Sequence, residues 1–195
     1  MQPCSIKQII MIIEYIFTIG VFIYLLYTRI SSTLELVVVG TIGTILISGI
    51  LYYMINGQII DPVDPIVDQL RYIEKTDDDC SKYSKRDFTK QKVQIDNEKL
   101  FEFYCSICNS YVGSKSKHCG SCNKCVSEFD HHCEWLNNCV GQQNFREFLG
   151  LVVIYNLQTI FQIILVGIYC RGPLMIAFLV FYSVKLIILG KLMLE

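Results

Sequence analysis

Long apolar stretches alternate with polar ones along this chain and indicate how it is organised. Four stretches have the length of about 20 residues that a membrane-spanning helix needs: Ile9 to Tyr27, Leu36 to Ile55, Phe148 to Tyr169 and Leu174 to Met193. The fourth is the weakest, because Lys185 and Lys191 interrupt it. Short linkers join the first pair and the second pair, so each pair is predicted to form a helical hairpin.

The charges lie mainly between the two predicted hairpins. Hydrophobic residues make up 52% of the chain and charged residues only 18%, and most of the latter lie between Gln58 and Glu147. This distribution is typical of a membrane protein with one polar insert. No basic face of the kind that nucleic acid requires is present, so nucleic acid is not expected as a partner.

The positions of the lysines and arginines predict how the chain is oriented. The connectors on one side of the predicted membrane hold only Arg29 and Arg171, whereas Lys7 and the basic residues of the insert lie on the other side. Cytoplasmic loops carry the excess of positive charge. The insert and both termini are therefore predicted to be cytosolic, in a multi-pass protein of the ER, the Golgi or the plasma membrane.

A cysteine–histidine cluster lies in the second half of the insert. Seven of the ten cysteines and all three histidines fall between Cys105 and Cys139. Because the cytosol keeps thiols reduced, metal ligation is favoured over disulfides. Repeated Cys-x2-Cys spacings with later Cys or His residues are typical of zinc sites. The expected fold is thus an all-α integral membrane protein of four transmembrane helices, with a cytosolic zinc-binding cysteine-rich domain between helices 2 and 3.

The expected domains are an N-terminal hairpin (1–56), a cytosolic linker (57–100), the cysteine-rich domain (101–147) and a C-terminal hairpin (148–195). Two zinc ions take eight of the ten candidate ligands and leave two over, which we expect to be one cysteine and one histidine. A thiol beside a spare imidazole and a carboxylate is the group that nucleophilic catalysis uses. Asp130, His131 and Cys133 lie close enough to form it. Counting alone leaves open which histidine is spare.

The run Asp130-His131-His132-Cys133, followed by Trp135, Asn138-Cys139-Val140-Gly141 and Asn144, resembles the DHHC cysteine-rich domain of protein S-acyltransferases, or palmitoyltransferases. Two helices before and two after the domain are similar to that family's minimal architecture. The resemblance implies two structural zinc ions, each held by three cysteines and one histidine. It assigns Cys105, Cys108, His118 and Cys125 to one ion, and Cys119, Cys122, His132 and Cys139 to the other.

The resemblance also implies a two-step acyl transfer. Cys133 would take a palmitoyl-like group from a long-chain acyl-CoA and pass it to a cysteine of a protein substrate, with His131 as general base and Asp130 orienting the imidazole. Expected partners are acyl-CoA, the lipid bilayer and proteins with juxtamembrane cysteines. The four helices would hold the acyl chain.

Some features depart from the family pattern. Val112 to Lys115 stands where a proline and an arginine are usual, Glu134 follows Cys133 where proline is common, and Asp61-Pro62-Val63 matches the family's Asp-Pro-Gly at two positions. The chain reaches Glu195 without the family's C-terminal tail, so a fragment or a short form is expected. The main alternative function is a catalytically inactive membrane scaffold or adaptor. A RING-like ubiquitin ligase ranks lower, because it would not need an intact Asp-His-His-Cys run.

Overall fold

The computed structural model describes residues 5–69 and 103–192. These residues form two compact units. The cysteine-rich unit contains the described residues between Ile60 and Phe145, and the helical unit contains the helices before and after them. Most of the predicted linker 57–100, from residue 70 onward, lies outside the described residues.

The helical unit contains four α-helices. They are α1 (Ile6–Thr28), α2 (Thr33–Ile59), α3 (Phe145–Tyr169) and α4 (Pro173–Leu192). The Ser5 hydroxyl caps α1 by accepting a hydrogen bond from the Gln8 N–H at 3.0 Å, which satisfies one of the free amides of the first turn. Pro173 begins α4 at a position where its missing N–H costs nothing.

Three of these helices are long and apolar enough to cross a membrane: α1, α2 and α3. Many of their large apolar side chains face outward, as with Ile13, Ile45 and Ile164, which are 61%, 67% and 53% exposed. A lipid environment favours such a surface, and a helix satisfies its own backbone groups there. The apolar part of α4 is shorter, Met175–Lys185, so a fourth span at this helix stays a prediction.

Small residues let the helices approach closely. A Cβ built on Gly43 of α2 would meet the Phe22 ring of α1 at 2.0 Å, and one on Gly150 of α3 would meet the Tyr53 ring of α2 at 2.4 Å. Glycines at such crossings are how membrane helices pack without a hydrophobic driving force. α1, α3 and α4 also share a buried cluster, formed by Val21, Phe22, Leu25, Leu165, Val166, Cys170 and Tyr182.

The described part of the cysteine-rich unit contains six short strands, so the predicted all-α fold is wrong there. They pair in sequence as three antiparallel hairpins: hairpin 1 (β1, Phe103–Cys105, with β2, Ser110–Val112), hairpin 2 (β3, Lys117–Cys119, with β4, Lys124–Val126) and hairpin 3 (β5, His131–Cys133, with β6, Asn138–Val140). Strands of three residues are too short to show the alternation by which a strand is recognised in a sequence.

Candidate active site and metal centres

The first metal group consists of Cys105, Cys108, His118 and Cys125, and the fold brings all four together. Nδ1 of His118 lies 3.3 Å from Cys108 Sγ, 3.7 Å from Cys105 Sγ and 3.8 Å from Cys125 Sγ. Ligands placed about 2.3 Å from one centre in a tetrahedron stand roughly 3.5–3.8 Å apart, which is the geometry of a closed structural zinc site. The donor set and its spacing therefore fit a zinc ion.

The second metal group consists of Cys119, Cys122, His132 and Cys139. Nδ1 of His132 lies 3.3 Å from Cys122 Sγ, 3.6 Å from Cys139 Sγ and 3.7 Å from Cys119 Sγ. The spacing matches that of the first group, and three sulfurs with one imidazole again suit zinc. The two groups contain the same residues that the resemblance implies.

The electrostatics of the second group also suit a cation. Burial lowers the pKa of His132, which favours the neutral imidazole that binds metal. Burial, with the neighbouring Cys122 and Cys119 thiols, raises the pKa of Cys139 well above its usual range. A divalent cation supplies the positive charge that lets such crowded thiols ionise together.

Strand geometry separates the two adjacent histidines of hairpin 3. Successive side chains of a strand point to opposite faces. His132 lies opposite Cys139 in the register of the hairpin, and both belong to the second metal group. His131 and Cys133, one residue to either side, therefore lie on the other face of β5. Of the three histidines, His131 is the one that belongs to neither group of four.

The three residues predicted for catalysis lie together at the start of hairpin 3. Nδ1 of His131 lies 3.3 Å from Oδ2 of Asp130, within hydrogen-bonding reach. The Asp130 side chain is exposed, that of His131 is partly buried, and Cys133 is only 3% exposed. A carboxylate next to an imidazole orients the ring and stabilises its protonated form. The Asp130–His131 pair therefore offers an oriented imidazole that is able to accept a proton.

Asp64 is a structural residue of this unit that the sequence interpretation missed. It is 1% exposed, and its Oδ2 accepts hydrogen bonds from the Gly113 N–H at 3.1 Å and the Ser116 hydroxyl at 2.5 Å. Its Oδ1 accepts from the Ile66 N–H at 3.0 Å. One buried carboxylate therefore ties the described start of the predicted linker to the loop between hairpins 1 and 2. In the sequence, only its position two residues after Pro62 could have drawn attention to Asp64.

Further contacts join this segment to hairpins 2 and 3. Asp61 forms an ion pair with Lys124, Val63 forms an isolated β-bridge with Val126, and the Asn138 side-chain amide donates to the Ile60 carbonyl at 2.9 Å. The ion pair with Asp61 gives Lys124 a structural role, because it joins β4 to this segment. Asp61 and Pro62, the two positions that match the family's Asp-Pro-Gly, thus lie where this segment contacts the hairpins.

Asn144 and Gly141 hold the turn that follows the second metal group. Asn144 is fully buried, donates to the Cys139 carbonyl at 2.9 Å and accepts from the Gly141 N–H at 3.0 Å. A Cβ on Gly141 would meet the Ser127 carbonyl oxygen at 2.6 Å, so only glycine fits. These contacts explain why both residues belong to the motif. Their role is to shape the backbone next to Cys139.

The family model of the DHHC palmitoyltransferase matches residues 98–182. The matched segment includes all three hairpins, α3 and the first half of α4. No curated protein matches the chain.

Proposed function

We propose that Cys133 carries the acyl group in this chain, which belongs to the DHHC palmitoyltransferase family and is therefore a protein S-acyltransferase. The observation that carries the proposal is the division of hairpin 3 into two faces. His132 belongs to a metal group, while His131 lies on the other face with Cys133 and within 3.3 Å of Asp130. A thiol and an imidazole that belong to neither metal group, together with a carboxylate, form the set that covalent catalysis uses.

In the first step, His131 takes the proton of the Cys133 thiol. The resulting thiolate attacks the thioester carbon of a long-chain acyl-CoA. The bond between that carbon and the coenzyme A sulfur then breaks. Coenzyme A leaves as a thiolate and takes up the proton held by His131, and the acyl group remains on Cys133.

In the second step, a cysteine thiol of a protein substrate gives its proton to His131 and attacks the acyl-enzyme. The new thioester forms on the substrate as the bond from the acyl carbon to the Cys133 sulfur breaks. Cys133 leaves as a thiolate, which the imidazolium of His131 protonates. Asp130 keeps the imidazole oriented in both steps and stabilises its charged form.

The two metal groups would hold structural zinc ions. Each offers three sulfurs and one imidazole nitrogen, a closed set with no position left for a water molecule. Bound there, zinc supplies cross-links between hairpins and no acid–base chemistry. By holding His132, the second group would fix the position of β5 and therefore the relative positions of His131 and Cys133.

The apolar helices support a wider proposal about location and partners. α1, α2 and α3, with α4 as a fourth span, would place the protein in the ER, Golgi or plasma membrane, with the cysteine-rich unit in the cytosol. Acyl-CoA and proteins with cysteines near the membrane surface are the partners that this location suits.

The test is autoacylation of the detergent-purified chain with an alkyne-tagged palmitoyl-CoA. We expect a hydroxylamine-sensitive label in the natural protein and in Cys170→Ala, and none in Cys133→Ala. Cys170 is a matched control because it is also a buried cysteine, but it packs in the helical cluster. Equal labelling of Cys133→Ala and the natural protein would refute the proposal. A chain that holds two zinc ions and takes no label would favour the scaffold function.

A further inference from the structure

A short segment that directly follows α2, residues 60–64, contacts hairpins 2 and 3 and is called the strap below. Its contacts with hairpin 2 include a backbone hydrogen bond, in which the Asp64 N–H donates to the Cys125 carbonyl at 2.9 Å. It contacts hairpin 3 through a side chain, because the amide of Asn138 donates to the Ile60 carbonyl at 2.9 Å. Asn138 therefore connects the strap to the hairpin that contains the proposed nucleophile.

Both ends of the Asn138 carboxamide take part in hydrogen bonds. Its Nδ2 donates to the Ile60 carbonyl, and its Oδ1 accepts from the Cys139 N–H at 2.9 Å. The residue is only 7% exposed, and a buried carboxamide that both donates and accepts is held in one orientation. Asn138 thus fixes the start of β6 against the strap.

Asn138 faces Cys133 across hairpin 3. The two residues are partners in the register of β5 and β6. Side chains of residues directly opposite each other in an antiparallel pair lie on the same face, with Cβ atoms about 4.5–5.5 Å apart. His131 precedes Cys133 by two residues and lies on that face as well. The Asn138 side chain is therefore next to that of Cys133, on the face that carries the proposed base.

The three hairpins share one form, which allows them to be compared position by position. Each first strand ends in a cysteine that faces the first residue of the second strand. Each turn contains an asparagine at positive φ, which is 50°, 49° and 51° at Asn109, Asn123 and Asn137. In hairpin 2 the facing residue is Lys124, which is 8% exposed and forms an ion pair with Asp61 of the strap. In hairpins 2 and 3 the residue that faces the cysteine is thus buried and anchored to the strap.

The cysteines of hairpins 2 and 3 differ in what holds them. Cys119 is a member of the second metal group, where a bound zinc ion would fix its sulfur, whereas Cys133 belongs to neither group. We infer that Asn138 is a positioning residue for acyl transfer, which holds the Cys133 thiol in line with His131 by tying the facing end of β6 to the strap. The inference rests on the proposed function for the role of Cys133. This role requires no contact with the acyl group, so Asn138 is not a catalytic residue.

Loss of a positioning residue should affect acylation of Cys133 much more than its alkylation. Attack on a thioester needs the sulfur, the imidazole and the acyl carbon in one alignment, and a displacement of about 1 Å costs about a hundredfold in rate. Alkylation by iodoacetamide is less demanding, because this small reagent needs only a thiolate that it can reach. The ratio of the two rates therefore distinguishes a misaligned thiol from an unfolded or covered one.

The test compares Asn138→Leu with Lys124→Met in the full chain, purified in detergent. Asn138→Leu keeps a side chain branched at Cγ but cannot bond to the strap, and Lys124→Met removes the equivalent contact of hairpin 2. Bound zinc is counted first. Alkylation of Cys133 is then followed by peptide mass spectrometry at about pH 9, where an unassisted thiol is largely ionised. Single-turnover acylation is measured with alkyne-tagged palmitoyl-CoA over a range of concentrations.

We expect both variants to keep the zinc content and the alkylation rate of the natural chain. Acylation of Asn138→Leu at saturating palmitoyl-CoA should be about tenfold to a hundredfold slower, with an unchanged half-saturating concentration, because alignment and not binding is lost. Acylation of Lys124→Met should stay close to the natural rate, because the cysteine that it faces is a metal ligand.

A second variant keeps the test decisive if Asn138→Leu loses zinc. The hydroxyl of Asn138→Ser is able to accept from the Cys139 N–H, but this side chain is one atom shorter and loses the bond to Ile60. The same separation of acylation from alkylation is expected for it. Loss of zinc from both Asn138 variants would overturn the inference, because the role of Asn138 would then be structural.

The remaining outcomes separate this inference from the proposed function. Natural acylation in Asn138→Leu, or equal losses of acylation and alkylation, would overturn the inference and leave the acyl-transfer role of Cys133 standing. Equal losses of acylation in Asn138→Leu and Lys124→Met would overturn it too, because the effect would then belong to the whole strap. A natural chain that takes no label would overturn the proposed function and this inference with it.

Discussion

The ammonium of Lys185 in α4 lies 2.8 Å from the Glu14 carboxylate in α1. The same carboxylate accepts a hydrogen bond from the Tyr155 hydroxyl of α3, and the ammonium lies 4.1 Å from the centroid of that tyrosine ring. Each residue lies within an apolar helix, where a lone charge is costly. The pairing explains how both charges are tolerated within apolar helices. Together with Tyr155, the two residues connect α1, α3 and α4, which explains why α4 contains a lysine.

Removing one member of this pair should destabilise the helical unit more than removing both. Glu14→Gln leaves the Lys185 ammonium buried without its counter-charge, at a cost of about 3 kcal/mol. Lys185→Met should cost a similar amount, and the double variant should recover much of the loss. Thermal unfolding in detergent, run as a double-mutant cycle, measures the coupling. Strictly additive losses would show that the pair contributes no stability.

Two cysteines of the same domain, Cys133 and Cys119, should respond differently to substitution. Cys133→Ser should keep two zinc ions and lose acyl-enzyme formation, because this thiol lies outside both metal groups. Cys119→Ser should drop to one zinc ion and lose the fold of hairpins 2 and 3. Zinc content with protease resistance separates the two outcomes. A Cys133→Ser protein with only one zinc ion would contradict this assignment.

The neighbouring histidines should separate in the same way. His131→Asn should retain two zinc ions and lower autoacylation by roughly a hundredfold or more, the usual contribution of a general base. His132→Asn should lose a zinc ion together with activity, because its imidazole is a member of the second metal group. Single-turnover labelling is compared with zinc content for each variant. Loss of zinc from His131→Asn would reverse the assigned roles.

Asp64 should stabilise the cysteine-rich unit without touching the metal groups. Asp64→Asn replaces one acceptor oxygen by a donor and leaves at least one of three buried hydrogen bonds unmade, which costs about 2 kcal/mol. The measurement is the rate at which a chelator removes zinc, which should rise. Ser116→Ala, which loses only one of these bonds, is the milder comparison. An unchanged release rate in Asp64→Asn would argue against this role.

The helices could be predicted from the sequence because an apolar run is a local signal. Ile9–Tyr27 was expected for α1 and Phe148–Tyr169 for α3, and the structure begins each helix three residues earlier, at Ile6 and Phe145. The Cys-x2-Cys spacings and the Asp130–Cys133 run were equally local. The spacings predicted metal binding, and the resemblance carried by that run implied the eight ligands, which the structure gathers into two groups of four.

What only the tertiary structure decided depends on residues far apart in the chain or on backbone conformation. Strands of three residues carry too little alternation to be recognised, so the hairpins and the face that separates His131 from His132 required the register. The contact of Glu14 with Lys185 joins the first helix to the last, and that of Asp64 with Ser116 joins residues 52 positions apart in the chain. The likeness of hairpin 3 to the other two hairpins also required the structure, because it depends on the positive φ of Asn137 and on the pairing of Cys133 with Asn138.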